Sequence, residues 1–233
     1  MTPFSLRDRA RLWLARARGQ DMLSPRLDPV VVRRDGYPGS DGEHRLQKAV
    51  GTQRRAVRFY ERQMLDHLSP PMVEFIARMD LLFVSTADAQ GECDCSIRTG
   101  PRGFLRVLDE RSVAWPEFNG NGVMASMGNI LENPHAGLLM VDFTGSTMGL
   151  HVNGKASVHE QIEGLDAPEE AGGKHAIRWV RVDIEEAYIH CSKHVPLMER
   201  KDKTLDWGTS NPFRKGGDFF AAVGRERPWK KDG

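Results

Sequence analysis

Cysteine is scarce in this chain: Cys93, Cys95 and Cys191 are the only three in 233 residues. So small and odd a set does not make a disulfide framework, and a reducing cytoplasm is the expected compartment. No apolar run approaches the roughly 20 residues that span a bilayer, so no integral membrane segment is expected. Arginines recur from Arg7 to Arg18 and interrupt the apolar core that a secretory leader would need. An excess of one charge is missing too, with 33 Lys plus Arg against 32 Asp plus Glu. That balance lacks the basic stripe of a nucleic-acid binder, so no nucleic-acid partner is expected.

What is present is the composition of a folded domain, 39% hydrophobic and 28% charged. The length suits one elaborated domain with an arm. We place the arm at residues 1–44 and the domain, with a C-terminal tail, at 45–233. Within residues 1–20, Leu6, Ala10, Trp13, Leu14 and Ala17 follow helical spacing, with most arginines on the other face. This reads as a helix packed on its own domain or on a partner subunit rather than on a membrane surface. From Ser24 to Glu43 the chain turns to Pro, Gly and Asp, a linker or an extended arm with Val30–Val32 as a candidate short strand. A second helix is expected from about Arg45 to His67. A third follows Ser69 as N-cap, with Pro70 and Pro71 in its first turn and Met72, Phe75, Ile76 and Met79 behind.

Beyond Asp80 the texture becomes that of strands. Leu81–Thr86 and Cys93–Arg98 flank a turn at Asp88–Gly91 and predict a hairpin. Phe104–Leu108 and Ser112–Trp115 predict two further short strands. Ala136–Phe143 reads as a strand buried on both faces, and Leu150–His159 alternates Leu150, Val152, Gly154, Ala156 and Val158 on one side. Ile177–Ile189 is the last strand, and a helix at about Val123–Glu132 separates the first four from the rest. The expected fold is mainly β, a small closed β-barrel with flanking helices.

Between Arg111 and Glu132 only Glu117 is ionisable. Asn119, Gly120, Asn121, Gly122, Ser126, Gly128 and Asn129 gather where a strand gives way to a helix. Glycines let backbone N–H groups approach an anion, a helix N-terminus adds a favourable dipole, and Asn and Ser add neutral donors. By itself this is either a phosphate grip or merely a turn.

The order of parts from about Met72 to His159, and more loosely to His194, resembles the pyridoxamine 5′-phosphate oxidase-like, FMN-binding split-barrel superfamily. The matching parts begin with the hairpin strand Cys95-Ser-Ile-Arg-Thr-Gly100 and the strand Ala114-Trp-Pro-Glu117. The segment Ser126-Met-Gly-Asn-Ile-Leu-Glu-Asn-Pro134 follows, then a long hairpin ending in Asn153-Gly-Lys-Ala156. The resemblance implies a split barrel of the FMN-binding type and a homodimer with FMN at the interface. It places Ser96, Ile97 and Arg98 beside the ring or ribityl chain, with Trp115, Pro116 and Glu117 near both. Asn121, Gly122, Ser126 and Asn129 fall near the phosphate. Ser126 stands where the family carries a phosphate-binding lysine, which leaves Arg98 or Arg102 to supply the charge.

The implied function is an FMN-dependent oxidoreductase acting on a small-molecule substrate that the sequence does not identify. In it the flavin carries the redox chemistry and no side chain is marked as catalytic. Its rival is a protein that binds or sequesters a flavin, deazaflavin or haem without turnover, with His190 or His194 as a haem axial ligand. A third reading makes the barrel a dimerisation scaffold whose working surface is the two N-terminal helices. Lys193 and His194, after the last strand, are candidates for substrate contact. No metal site is expected: Cys93 and Cys95 lack a second ligand pair and read as ordinary buried or half-buried thiols. The aromatic-rich tail from Trp207 to Phe220 reads as a pocket cap, a crossing arm or simple packing on the barrel.

Overall fold

A computed structural model describes residues 36–166, 175–206, 208–209, 211–214, 217–227 and 229. The helix expected over 1–20, the strand at Val30–Val32 and parts of the C-terminal tail lie outside the described residues.

Helix α1 runs Asp41–Val50 and opens on a capping box, in which Ser40 and Glu43 satisfy each other's backbone N–H groups. It ends at Gly51, which adopts φ 72°. This left-handed turn splits the single helix expected over 45–67 into α1 and α2, Gln53–Gln63. Strand β1, Met64–Leu65, follows. Helix α3, Pro70–Ala77, starts at Ser69 as expected, with prolines in its first turn, although the Ser69 hydroxyl makes no capping bond.

The remaining strands are β2 Leu81–Ala87, β3 Cys93–Thr99, β4 Arg106–Asp109, β5 Ser112–Glu117, β6 His135–Val141, β7 Gly149–His159 and β8 Arg178–His190. Helix α4, Ala125–Glu132, lies between β5 and β6. The sheet is antiparallel throughout, in the order β3-β2-β6-β7-β8-β5-β4, and β1 pairs with β8. It is the antiparallel sheet of a split barrel, with helices at its flanks.

The backbone ladder does not close, contrary to the expected closed barrel: β3 and β4 end the path. Phe104 and Leu105, expected as the start of a strand, are instead buried plugs between these ends. Gly100 makes room for the first plug, since a Cβ there would lie 2.4 Å from the Phe104 side chain. Strand β4 therefore begins only at Arg106. It stops pairing with β5 beyond Ala114, leaving Trp115–Glu117 without a β4 partner.

Period-two alternation sends Leu82, Val84, Val113, Trp115, Leu138, Met140, Leu150, Val152, Val180 and Val182 into one core. Ile76 of α3 and Met127 and Ile130 of α4 close over it. Each such aliphatic side chain contributes roughly 1.5–3 kcal/mol by leaving water. Strand β6, expected to be buried on both faces, alternates instead: Ala136, Leu138 and Met140 point inward, while Gly137 and Leu139 are half-buried outside. Its apolar composition left this difference between faces invisible.

Strand β7 follows the expected alternation, and its glycine has a geometric cause. The β7–β8 register shifts between Asn153 and Gly154, where β8 carries an extra residue. A Cβ on Gly154 would lie 2.0 Å from the Asp183 carbonyl oxygen. Only glycine fits this approach of two backbones.

Candidate functional site

Strand alternation turns Asp94, Ser96 and Arg98 to one face of β3, opposite Thr86, Val84 and Leu82 of β2. That face looks inward, at the edge where the ladder stops. Across this seam stands the stretch of β5 that β4 leaves unpaired, with Glu117 buried at its end. Helix α4 packs against β2, β3 and β7 and brings Ser126 to the same place, where it is 5% exposed.

These groups form one continuous network. Arg98 Nε donates to both Glu117 carboxylate oxygens, at 2.7 and 3.0 Å. The Trp115 indole N–H donates to the same carboxylate at 2.9 Å. Arg98 Nη1 donates to Ser96 Oγ at 2.7 Å, Ser96 Oγ lies 2.9 Å from Ser126 Oγ, and Ser126 Oγ donates to Asp94 Oδ2 at 2.8 Å. A hydroxyl has one proton. Because Ser126 gives its proton to Asp94, Ser96 is the donor in the bond between the two serines. The donors therefore point one way, from the guanidinium through two hydroxyls to the carboxylate of Asp94.

Five residues singled out from the sequence thus meet in one hydrogen-bonded group: Ser96, Arg98, Trp115, Glu117 and Ser126. Trp115 is fully buried and Pro116 is enclosed beside it. Ile97 points out of the opposite face of β3, 51% exposed. Asn129 Nδ2 donates to Thr86 Oγ1 at 3.1 Å. Asn121 and Gly122 are exposed in the loop before α4, where Asn121 Oδ1 accepts from the Val123 N–H. Lys193 and His194 lie exposed in a 3-10 turn after β8, and among the described residues no hydrogen bond or ion pair joins them to the network. Arg102 is exposed in the turn after β3.

Two features escaped the sequence reading. Asp94 is not among the residues expected at the site, although alternation groups it with Ser96 and Arg98 on one face of β3. Met124, the residue before α4, adopts φ 57°, a strained left-handed conformation for a side chain of its size. Cys93 and Cys95, expected to be buried or half-buried, are exposed, as is Cys191. Among the described residues no group of three His, Cys, Asp or Glu is placed to hold a metal, and no helix is long and apolar enough to cross a membrane.

A second polar cluster occupies the outer face of β7 and β8. His151 Nε2 lies 2.9 Å from His190 Nδ1, and the His151 ring stacks on Tyr188 with centroids 4.8 Å apart. Burial first, and the neighbouring His190 second, hold the His151 imidazole below its ordinary pKa. Phe59 of α2 meets Tyr188 edge-on, and a hollow of about 430 Å³ between α2 and β8 is lined by Arg55, Phe59, Tyr60, Met64 and Tyr188.

No curated protein matches this sequence. Among solved structures the chain is similar to HupZ of Group A Streptococcus, at 18% identity and TM-score 0.39, covering 52% of this chain and 93% of that one. It is similar to HutZ, the haem storage protein of Vibrio cholerae, at 17% identity and TM-score 0.38, over 52% and 94% of the two chains. A protein of Clostridium acetobutylicum related to general stress protein 26, of the pyridoxinephosphate oxidase family, matches at 11% identity and TM-score 0.38, over 52% and 85%. Residues 68–191, more than half of the chain, match the sequence profile of pyridoxamine 5′-phosphate oxidase. The strands β2 to β8, the helix α4 and the whole polar network fall within that match, and the chain belongs to the pyridoxamine 5′-phosphate oxidase family.

Proposed function

We propose that this protein is an FMN-dependent oxidoreductase that works in the cytoplasm as a homodimer, with the flavin at the seam of the barrel. The observation that carries this reading is the polar relay at the seam, in which Arg98 donates to Ser96, Ser96 to Ser126, and Ser126 to the carboxylate of Asp94. A guanidinium and two hydroxyls gathered at one seam are donor types suited to the polar groups of a flavin. Glu117, bonded by Trp115 and Arg98, acts as a positioning residue that keeps the guanidinium turned toward the two serines. Arg98 is the cation at this seam, brought by β3 rather than by α4, and it is paired with Glu117.

Asn121, Gly122 and Asn129 border the phosphate end in this reading, Ile97 presents backbone to the ring, and Trp115 and Pro116 form the wall behind it. Lys193 and His194 are the candidates for substrate contact. The flavin supplies hydride and electron transfer when bound, while the chain binds, orients and shields it. A second protomer is supported by apolar residues exposed close to the relay in chain order, namely Ile97, Val123, Met124 and Leu131.

The test is the absorbance spectrum of the purified protein, with mass identification of any released cofactor. A flavin spectrum, or thermal stabilisation by added FMN, is the expected result. A Soret band would move the assignment to haem, and a deazaflavin spectrum to that cofactor. A colourless protein that FMN does not stabilise would remove the reading. Oxidation of reduced nicotinamide by the flavin-loaded protein then separates an oxidoreductase from a carrier.

A further inference from the structure

We propose that Asp94 is the specificity-determining residue of the relay: its carboxylate occupies the anion position, disfavours a dianionic 5′-phosphate and leaves an unphosphorylated flavin unaffected. The proposal rests on the flavin reading above and deepens it.

The geometry makes Asp94 the terminal acceptor of the network. The donor chain runs from Arg98 Nη1 through Ser96 Oγ and Ser126 Oγ and ends on Asp94 Oδ2 at 2.8 Å. Ser126 is 5% exposed, so little water is available to replace this partner. Ser126 has a single proton to give, and a phosphate oxygen can receive it only if Asp94 yields it. Direction and donor count are unchanged by such an exchange. What changes is charge.

Arg98 is already matched by Glu117, its Nε lying 2.7 Å from the carboxylate. With both carboxylates ionised, Asp94, Glu117 and Arg98 together carry one net negative charge. A phosphate entering beside them adds up to two more, next to the half-buried Asp94 and the buried Glu117, where like charges repel. The family's lysine at the position of Ser126 would offset that repulsion, whereas Ser126 does not. Moving the Asp94 side chain aside lowers the repulsion but breaks its bond to Ser126. A flavin without a phosphate places no charge at the relay and leaves the Asp94–Ser126 bond in place.

The experiment is a titration of the full-length protein, freed of any cofactor, with FMN and with riboflavin, followed by flavin fluorescence and calorimetry. Wild type, Asp94→Asn and Asp94→Ala are compared, and circular dichroism and melting temperature establish that each variant is folded. The expected result is an increase in FMN affinity of roughly ten-fold or more in both variants, with riboflavin affinity changed by less than about two-fold. The ratio of the two affinities is the readout, because a general loosening of the site would move both ligands together.

If wild type binds FMN and neither variant binds it more tightly relative to riboflavin, the role of Asp94 is refuted and the flavin reading stands. If no form of the protein binds either flavin, both fall.

Discussion

Arg98 and Glu117 join the two sides of the barrel where its backbone ladder stops, the guanidinium Nε lying 2.7 and 3.0 Å from the two carboxylate oxygens. Arg98 belongs to the edge strand β3, and Glu117 to the end of β5 that β4 does not reach. Side chains thus bridge a gap that no main-chain bond spans. Both are largely buried, at 20% and 8% side-chain exposure, so the pair is little screened by solvent.

Glu117→Ala leaves the guanidinium of Arg98 and the indole N–H of Trp115 without their shared acceptor. Removing one partner of a buried pair costs about 3–5 kcal/mol. The expected loss in chemical denaturation is about 3 kcal/mol, and Glu117→Gln, which keeps an acceptor for Trp115, should lose less. Equal stability of the alanine variant and wild type would show that the bridge is not structural.

Gly154→Ala forces a methyl group to within 2.0 Å of the Asp183 carbonyl oxygen, where the β7–β8 register shifts. The atom opposite is backbone, so relief requires the bulge itself to move. A destabilisation of more than about 2 kcal/mol is expected. Lys155, the next residue along β7, has its side chain exposed, and Lys155→Ala should change stability by less than about 0.5 kcal/mol. Equal melting temperatures for the two variants would contradict this reading of the bulge.

His151 is held below its ordinary value of 6.5 by burial and by His190. The unfolded chain therefore binds a proton more readily than the folded one. Stability attributed to this group is complete above about pH 6.5 and is lost as pH falls through that value toward the lower folded one. His151→Asn should flatten the slope of unfolding free energy against pH between about pH 5 and 7. An unchanged slope would assign the dependence to other groups.

Phe59→Ala removes the edge-on contact to Tyr188, whose centroid lies 5.8 Å away, together with its share of apolar burial. We expect a loss of roughly 2 kcal/mol. Hydrogen exchange should accelerate first in α2, since this contact ties α2 to β8. Uniform acceleration across the sheet would mean that α2 is part of the same cooperative unit.

Much of the fold was legible in the sequence for a local reason. The inward residues of β2 and β7 recur every second position, and the turns carry Gly, Asp or Pro where the chain reverses. Strand β6 was legible as a strand but not for its two faces, since Leu138 and Leu139 are chemically alike and only one meets the core. The break at Gly51 was missed because a helical pattern continues across it, and helix-to-helix angles are set by what each helix packs on. Ser96, Arg98, Glu117 and Ser126 were named individually, but nothing in their spacing says that they touch.

The sequence by itself determined the strands, the turn before α4, the glycine at position 154 and the absence of lysine at position 126. Each is a matter of residue type and short-range periodicity. Only the tertiary structure decided that Glu117 answers Arg98 and that Asp94 answers Ser126. Those partners stand 19 and 32 residues apart and meet because β3, β5 and α4 converge at the unpaired edge of the sheet. Charge pairing depends on distance in space, and the chain order does not carry that distance.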